Sequence, residues 1–160
     1  TMRQWSAILT TCFFSLILLV LPAFQGLPPY LYFFQPEWLA LALSYWVLAA
    51  PERVGLMTAF LLGFTADLAT GSPFGEHGLL YLVLVLFFSA TYHQVRVLPI
   101  WQQAIIVAFA MLVGLILQYL FLSLTSGSLA NAMIFFKAFA SALMWPWVFL
   151  LLRVIRRQVR

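Results

Sequence analysis

Forty consecutive residues, 97–136, carry no Asp, Glu, Lys or Arg, and the same emptiness recurs along the chain. Residues 4–36, 38–51, 54–66, 77–95 and 138–152 are also free of these charges. A membrane span needs about 20 predominantly apolar residues. A soluble domain carries about 25% charged residues, whereas this chain has 8% charged, 65% apolar and 18% aromatic residues over its 160 positions. Too little polar surface exists to face water all round, so the composition points to an integral membrane protein. Disorder requires the opposite composition.

The uncharged stretches are cut by helix breakers into six hydrophobic segments, about 5–21, 36–50, 54–70, 78–96, 99–123 and 131–155. The cuts fall at Pro22 with Pro28 and Pro29, at Pro51, at Gly71 with Pro73 and Gly75, at Pro99, and at Thr125-Ser126-Gly127-Ser128. Proline fits the first turn of a helix, and Pro36 and Pro99 stand there for the second and fifth segments. The fold expected is all-α: a single transmembrane domain, residues 1–160, of six helices in a compact bundle. The second and third segments amount to roughly 22–25 Å of helix at 1.5 Å per residue, barely enough for a core of about 30 Å. Short helices are tolerated where other protein surrounds them, so both are expected in the interior. The first segment reads as a span rather than a cleaved leader, because its apolar run is long and no small-x-small site follows.

With six spans, one side of the membrane receives Arg3, Arg53, Arg96, Arg153, Arg156, Arg157 and Arg160, and the other only Lys137. The positive-inside rule then places both termini in the cytoplasm. Arg153, Arg156, Arg157 and Arg160 recur at i, i+3, i+4 and i+7, one helical face. Such a face anchors on anionic lipid or docks an acidic partner.

Candidates for chemistry are few. His77 and His93 are a whole span apart, so they cannot share a metal. No zinc, redox, nucleophile-elbow or phosphate-loop motif is present, and the single cysteine, Cys12, reads as apolar filler. Glu76-His77 reads as a solvated turn, and His93 with Arg96 as an interface anchor. No cofactor, metal or nucleic acid is implied.

Asp67 is more informative. It lies 14 residues beyond Arg53, about 21 Å along a helix. A carboxylate at the centre of a span costs about 2.5–3.5 kcal/mol. Gly55, Ala59 and Gly63 precede it at four-residue spacing, and small-xxx-small stripes allow close helix approach. Asp67 is therefore expected to face protein. There it ties up N–H groups of the turn at Thr70-Gly71-Ser72-Pro73, pairs with a cation, or binds a ligand. Lys137 lies 16 residues before Arg153, about 24 Å of helix, so it is level with Asp67. It either snorkels to the headgroups or pairs with Asp67 or Glu37. Trp145-Pro146-Trp147 puts two rings beside a proline inside the sixth segment, facing either a partner helix or lipid.

Several runs taken in order resemble the rod shape-determining protein MreD family. They are Phe34-Gln35-Pro36-Glu37-Trp38; Tyr45-Trp46-Val47-Leu48-Ala49-Ala50-Pro51-Glu52-Arg53-Val54-Gly55; Gly63 to Asp67-Leu68; and Gly71-Ser72-Pro73-Phe74-Gly75. Trp101-Gln102-Gln103-Ala104 and Trp145-Pro146-Trp147 extend the likeness, which runs from about residue 5 to 157. The resemblance implies a non-enzymatic component of the cell-elongation machinery in the bacterial inner membrane. It implies association with the periplasmic scaffold protein MreC, and through it with the actin-like MreB filament and the peptidoglycan polymerase–transpeptidase pair. It also implies a fold related to the six-helix substrate-binding subunits of energy-coupling vitamin transporters, a likeness that does not carry substrate binding with it. Two readings of function follow: a membrane scaffold, or a solute-binding transporter subunit. The scaffold is favoured because few interior polar groups are on offer, namely Asp67, Gln118, Lys137 and Asn131.

Overall fold

The computed structural model describes residues 2–24, 28, 36–127 and 132–159, with side chains at 18–24, 133 and 159 left aside. Among the described residues there are six α-helices: α1 (Met2–Phe24), α2 (Trp38–Ala49), α3 (Leu56–Thr70), α4 (Glu76–Arg96), α5 (Ile100–Ser126) and α6 (Phe136–Val159). A single 3-10 turn, Ala132–Phe135, leads into α6. Of these helices, α4, α5 and α6 as far as Gln158 are long and apolar enough to cross a membrane, while α2 and α3 are shorter apolar helices.

Most of the breakers sit where helices end, but Pro22 does not, since α1 continues through it to Phe24. Pro99 is the N-cap of α5. Gly71 and Gly127 close α3 and α5 in the left-handed conformation, φ 69° and 68°, which glycine adopts without a Cβ penalty.

The helices form a ring with α2 in its middle. Around the ring α1 packs on α3, α3 on α4, α4 on α5, α5 on α6, and α6 back on α1, while α2 packs against α1, α4 and α6. Every residue of α2 from Leu39 to Leu48 is buried, as a helix apolar on all sides requires. The expectation of a short interior helix holds for α2 and fails for α3. Only Ala59, Gly63, Ala66 and Asp67 of α3 are buried. Its larger side chains, Met57, Phe60, Leu61, Phe64 and Leu68, are exposed. In α3 the small residues face inward and the bulky ones outward, so it lies on the rim with an apolar outer face.

The expected stripe of Gly55, Ala59 and Gly63 loses its first member. Gly55 is the extended N-cap of α3, and a Cβ on it would meet nothing within 4 Å. Ala59 is fully buried. At Gly63 an added Cβ would lie 2.4 Å from the Cα of Gly78, so the α3–α4 contact is backbone against backbone.

One end of the bundle, the arginine end, gathers Arg53, Arg96, Arg153 and Arg156. Arg53 lies over the Trp5 ring, 5.8 Å from its centroid, so the start of α1 and the end of α2 share that end. Arg96 closes α2 there: its Nε donates to the Leu48 carbonyl and its Nη2 to the Ala49 carbonyl. The last carbonyls of a helix have no partner within it, and a cation is favourable at that pole. Arg96 is thus more than the interface anchor the sequence suggests. Gln103 does the same for α4, its Nε2 donating to the Val95 carbonyl in the helix and to the Leu98 carbonyl just beyond it.

Candidate functional site

The opposite end of the bundle holds a buried cluster of ionisable and polar side chains from α3, α4, α5, α6 and the residue ahead of α2. Its first part grows from the α3–α4 turn. Gly71 and Gly75, both at positive φ, reverse the chain so that the start of α4 returns to the end of α3. Asp67 then receives the unpaired N–H groups at that helix start. Gly75 N–H donates to Oδ2 at 2.9 Å and His77 N–H to Oδ1 at 3.0 Å. The His77 Nδ1 also lies 2.8 Å from Oδ1. A carboxylate only accepts, so Nδ1 carries the proton. A helix N-terminus attracts negative charge, so one carboxylate caps α4 and fixes an imidazole.

Asp67 faces protein and ties up turn N–H groups, though at Gly75 and His77, a little beyond Thr70 to Pro73. Glu76-His77 is not a solvated turn. His77 is buried, and Glu76 is partly covered and accepts a hydrogen bond from Gln118 Nε2 at 3.0 Å. The adjacent residues point to different neighbours because they begin a helix, whose successive side chains diverge.

The second part joins α6 to the residue ahead of α2. Lys137 Nζ lies 2.9 Å from Glu37 Oε1, with both side chains nearly inaccessible, 7% and 1% exposed. Lys137 does not snorkel, and its bonded carboxylate is Glu37, not Asp67. One turn along α6, the Ser141 hydroxyl accepts the Glu37 backbone N–H at 3.0 Å. Two successive inward positions of α6 thus hold one residue by its side chain and by its backbone. Trp145, one further turn on, is fully buried, whereas Trp147 is exposed, so the rings about Pro146 divide between core and surface. His93 is exposed, and its ring lies against Tyr92, 3.9 Å between centroids.

Some atoms of this interior have no protein partner among the described residues: Glu37 Oε2, Gln118 Oε1 and Trp145 Nε1. The Asp67–His77 pair resembles half of a nucleophile-activating constellation. Among the described residues, however, His77 bonds to Asp67 and to no serine, threonine or cysteine. No group of three or more His, Cys, Asp or Glu is placed to hold a metal, again among the described residues. Asn131 and Arg160 lie outside the described residues. Arg153 and Arg157 are exposed and Arg156 half-buried.

The family model for rod shape-determining protein MreD matches residues 1–155. The chain belongs to the MreD family. A curated relative, the rod shape-determining protein MreD of Haemophilus influenzae, is 37% identical over 98% of this chain and 94% of its own length. No solved structure matches the chain. Membership gives the chain a role in cell shape. The ring about α2 and the two buried pairs are therefore features of an MreD-family bundle.

Proposed function

We propose that this MreD-family protein is a non-enzymatic membrane scaffold of the cell-elongation machinery. It holds an MreC-like periplasmic scaffold protein, and through it the MreB filament and the polymerase–transpeptidase pair, during lateral peptidoglycan synthesis. It sits in the bacterial inner membrane with six spans, the arginine end and both termini on the cytoplasmic side. On this reading the fold shares the arrangement of the substrate-binding subunits of energy-coupling vitamin transporters and not their use.

The observation that carries the scaffold reading is how the interior charges are bonded. Both Asp67 oxygens hold the α3–α4 turn, and the Lys137 ammonium reaches Glu37 across the bundle. A solute site needs polar groups converging on an open space, and these groups converge on one another. Bonds that tie helix ends together suit a body that presents fixed surfaces to other membrane proteins. The exposed apolar face of α3, with Phe60, Phe64 and Leu68, is one surface open to lipid or helix.

Detergent co-purification with an MreC-like partner tests the reading. Retention of the partner by the intact chain at near-equal stoichiometry is expected. Failure to retain it, together with saturable uptake of a small solute, would instead establish the transporter-subunit reading.

A further inference from the structure

The arginine end contains a cavity of about 250 Å³, lined by Tyr45, Arg96, Gln103, Phe149, Arg153 and Arg156 among others. These residues come from α2, α4, α5 and α6, so the chain must be folded for them to meet. Among the described residues the ion pairs are Arg53 with Glu52, His77 with Asp67 and Lys137 with Glu37. None involves Arg96, Arg153 or Arg156. Three guanidinium groups thus border one cavity with no carboxylate among the described residues paired to them, though Arg96 also donates to the Leu48 and Ala49 carbonyls. Like charges held together call for an anion, and guanidinium forks match phosphate oxygens. Gln103 lines the same cavity. Gln103 is 2% exposed and gives its Nε2 to the carbonyls of Val95 and Leu98, while its buried Oε1 has no partner among the described residues.

We propose that this cavity binds the headgroup of an anionic phospholipid, its phosphodiester held by Arg153 and Arg156 and faced by the N–H groups of Arg96 that the Leu48 and Ala49 carbonyls leave free. The cavity lies at the end of membrane-length helices, where phosphates of the bilayer are concentrated. Phe149 supplies an apolar wall beside the arginines, as the glycerol and upper acyl carbons require. Basic pockets between transmembrane helices suit such headgroups. The site differs from a general attraction of the arginine tail, because Arg157, on the same helix, lies outside the cavity lining. The inference depends neither on which side of the membrane this end faces nor on the scaffold reading.

Native mass spectrometry of the full chain tests it, with phosphatidylglycerol and phosphatidylcholine offered in equal amounts. The wild type should retain phosphatidylglycerol. Arg153→Gln with Arg156→Gln should lower its retention at least about tenfold, while Arg157→Gln should change it less than about threefold. Arg153→Lys with Arg156→Lys keeps the charge but loses the fork, and should fall between; this pair serves if the glutamine pair does not fold. Equal losses in the Arg157 variant and the glutamine pair would overturn the site in favour of diffuse attraction. Release of the lipid by millimolar glycerol phosphate would overturn the lipid assignment in favour of a free phosphate ester. A glutamate-rich peptide that binds wild type in place of phosphatidylglycerol would overturn it in favour of a protein partner.

Discussion

Gly63 and Gly78 meet where α3 crosses α4, and the contact is one-sided: a Cβ on Gly63 would lie 2.4 Å from the Gly78 Cα, while a Cβ on Gly78 meets nothing within 4 Å. The two positions therefore respond differently to the same methyl group. Gly63→Ala should force the helices apart and lower stability by about 1–3 kcal/mol, as overpacking does. Gly78→Ala should stay within about 1 kcal/mol of wild type, with helix propensity in its favour. Thermal unfolding in detergent measures both, and equal effects would show that the close approach is not real. Gly63→Leu should go further and reduce the amount of folded protein.

The sequence carried much of this seam. Four-residue spacing of Ala59, Gly63 and Asp67 was enough to turn Asp67 inward. It was not enough to exclude Gly55, because spacing alone does not say where the helix begins. Helix rise measured from the arginines placed Lys137 level with Asp67 and Glu37, and its bonded carboxylate is one of those two. The choice of Glu37 depends on the register of α6 against α2, which rests on contacts about 100 residues apart and leaves no local signature. The same holds for Arg96, whose carbonyl partners Leu48 and Ala49 lie on another helix. The shortness of the third segment suggests an interior place. Its pattern of small residues inward and Phe60, Phe64 and Leu68 outward was the better guide to its place on the rim.

His77 and His93 should separate cleanly. His77→Ala leaves Asp67 buried without its imidazole, so folded protein should fall, with a cost of about 1–3 kcal/mol. His93→Ala, at an exposed ring, should change stability by less than about 0.5 kcal/mol. Levels of folded protein in membranes and unfolding in detergent read both. Matching losses at the two histidines would contradict the burial of His77.

Arg96→Ala removes two donors from the closing carbonyls of α2. A loss of about 1–3 kcal/mol is expected, since hydrogen bonds from charged groups contribute in that range. Arg96→Lys should recover only part, because one ammonium lacks the fork that reaches Leu48 and Ala49 together. Full recovery with lysine would show that charge alone matters there.

Topology has its own check. A reporter active only in the cytoplasm should be active when fused after Arg160, and one inserted at Ser126 should behave as external. The reverse result at either point would contradict the six-span arrangement with both termini inside.

The central claim is that the buried charges hold an MreD-family scaffold together and do no chemistry of their own. Glu37→Gln and Lys137→Met each leave one buried charge uncompensated, while the double variant removes both and keeps similar volume. A coupling of about 1–3 kcal/mol is expected in the cycle, since replacing a whole buried pair is often tolerated where breaking it is not. The most direct measurement is cell shape in a rod-shaped bacterium whose MreD is replaced by the Glu37→Gln, Lys137→Met double variant, with the amount of folded protein measured alongside. Rods at normal protein levels are the result this account predicts. Round cells at normal protein levels would contradict it, because the charges would then be needed for more than the fold.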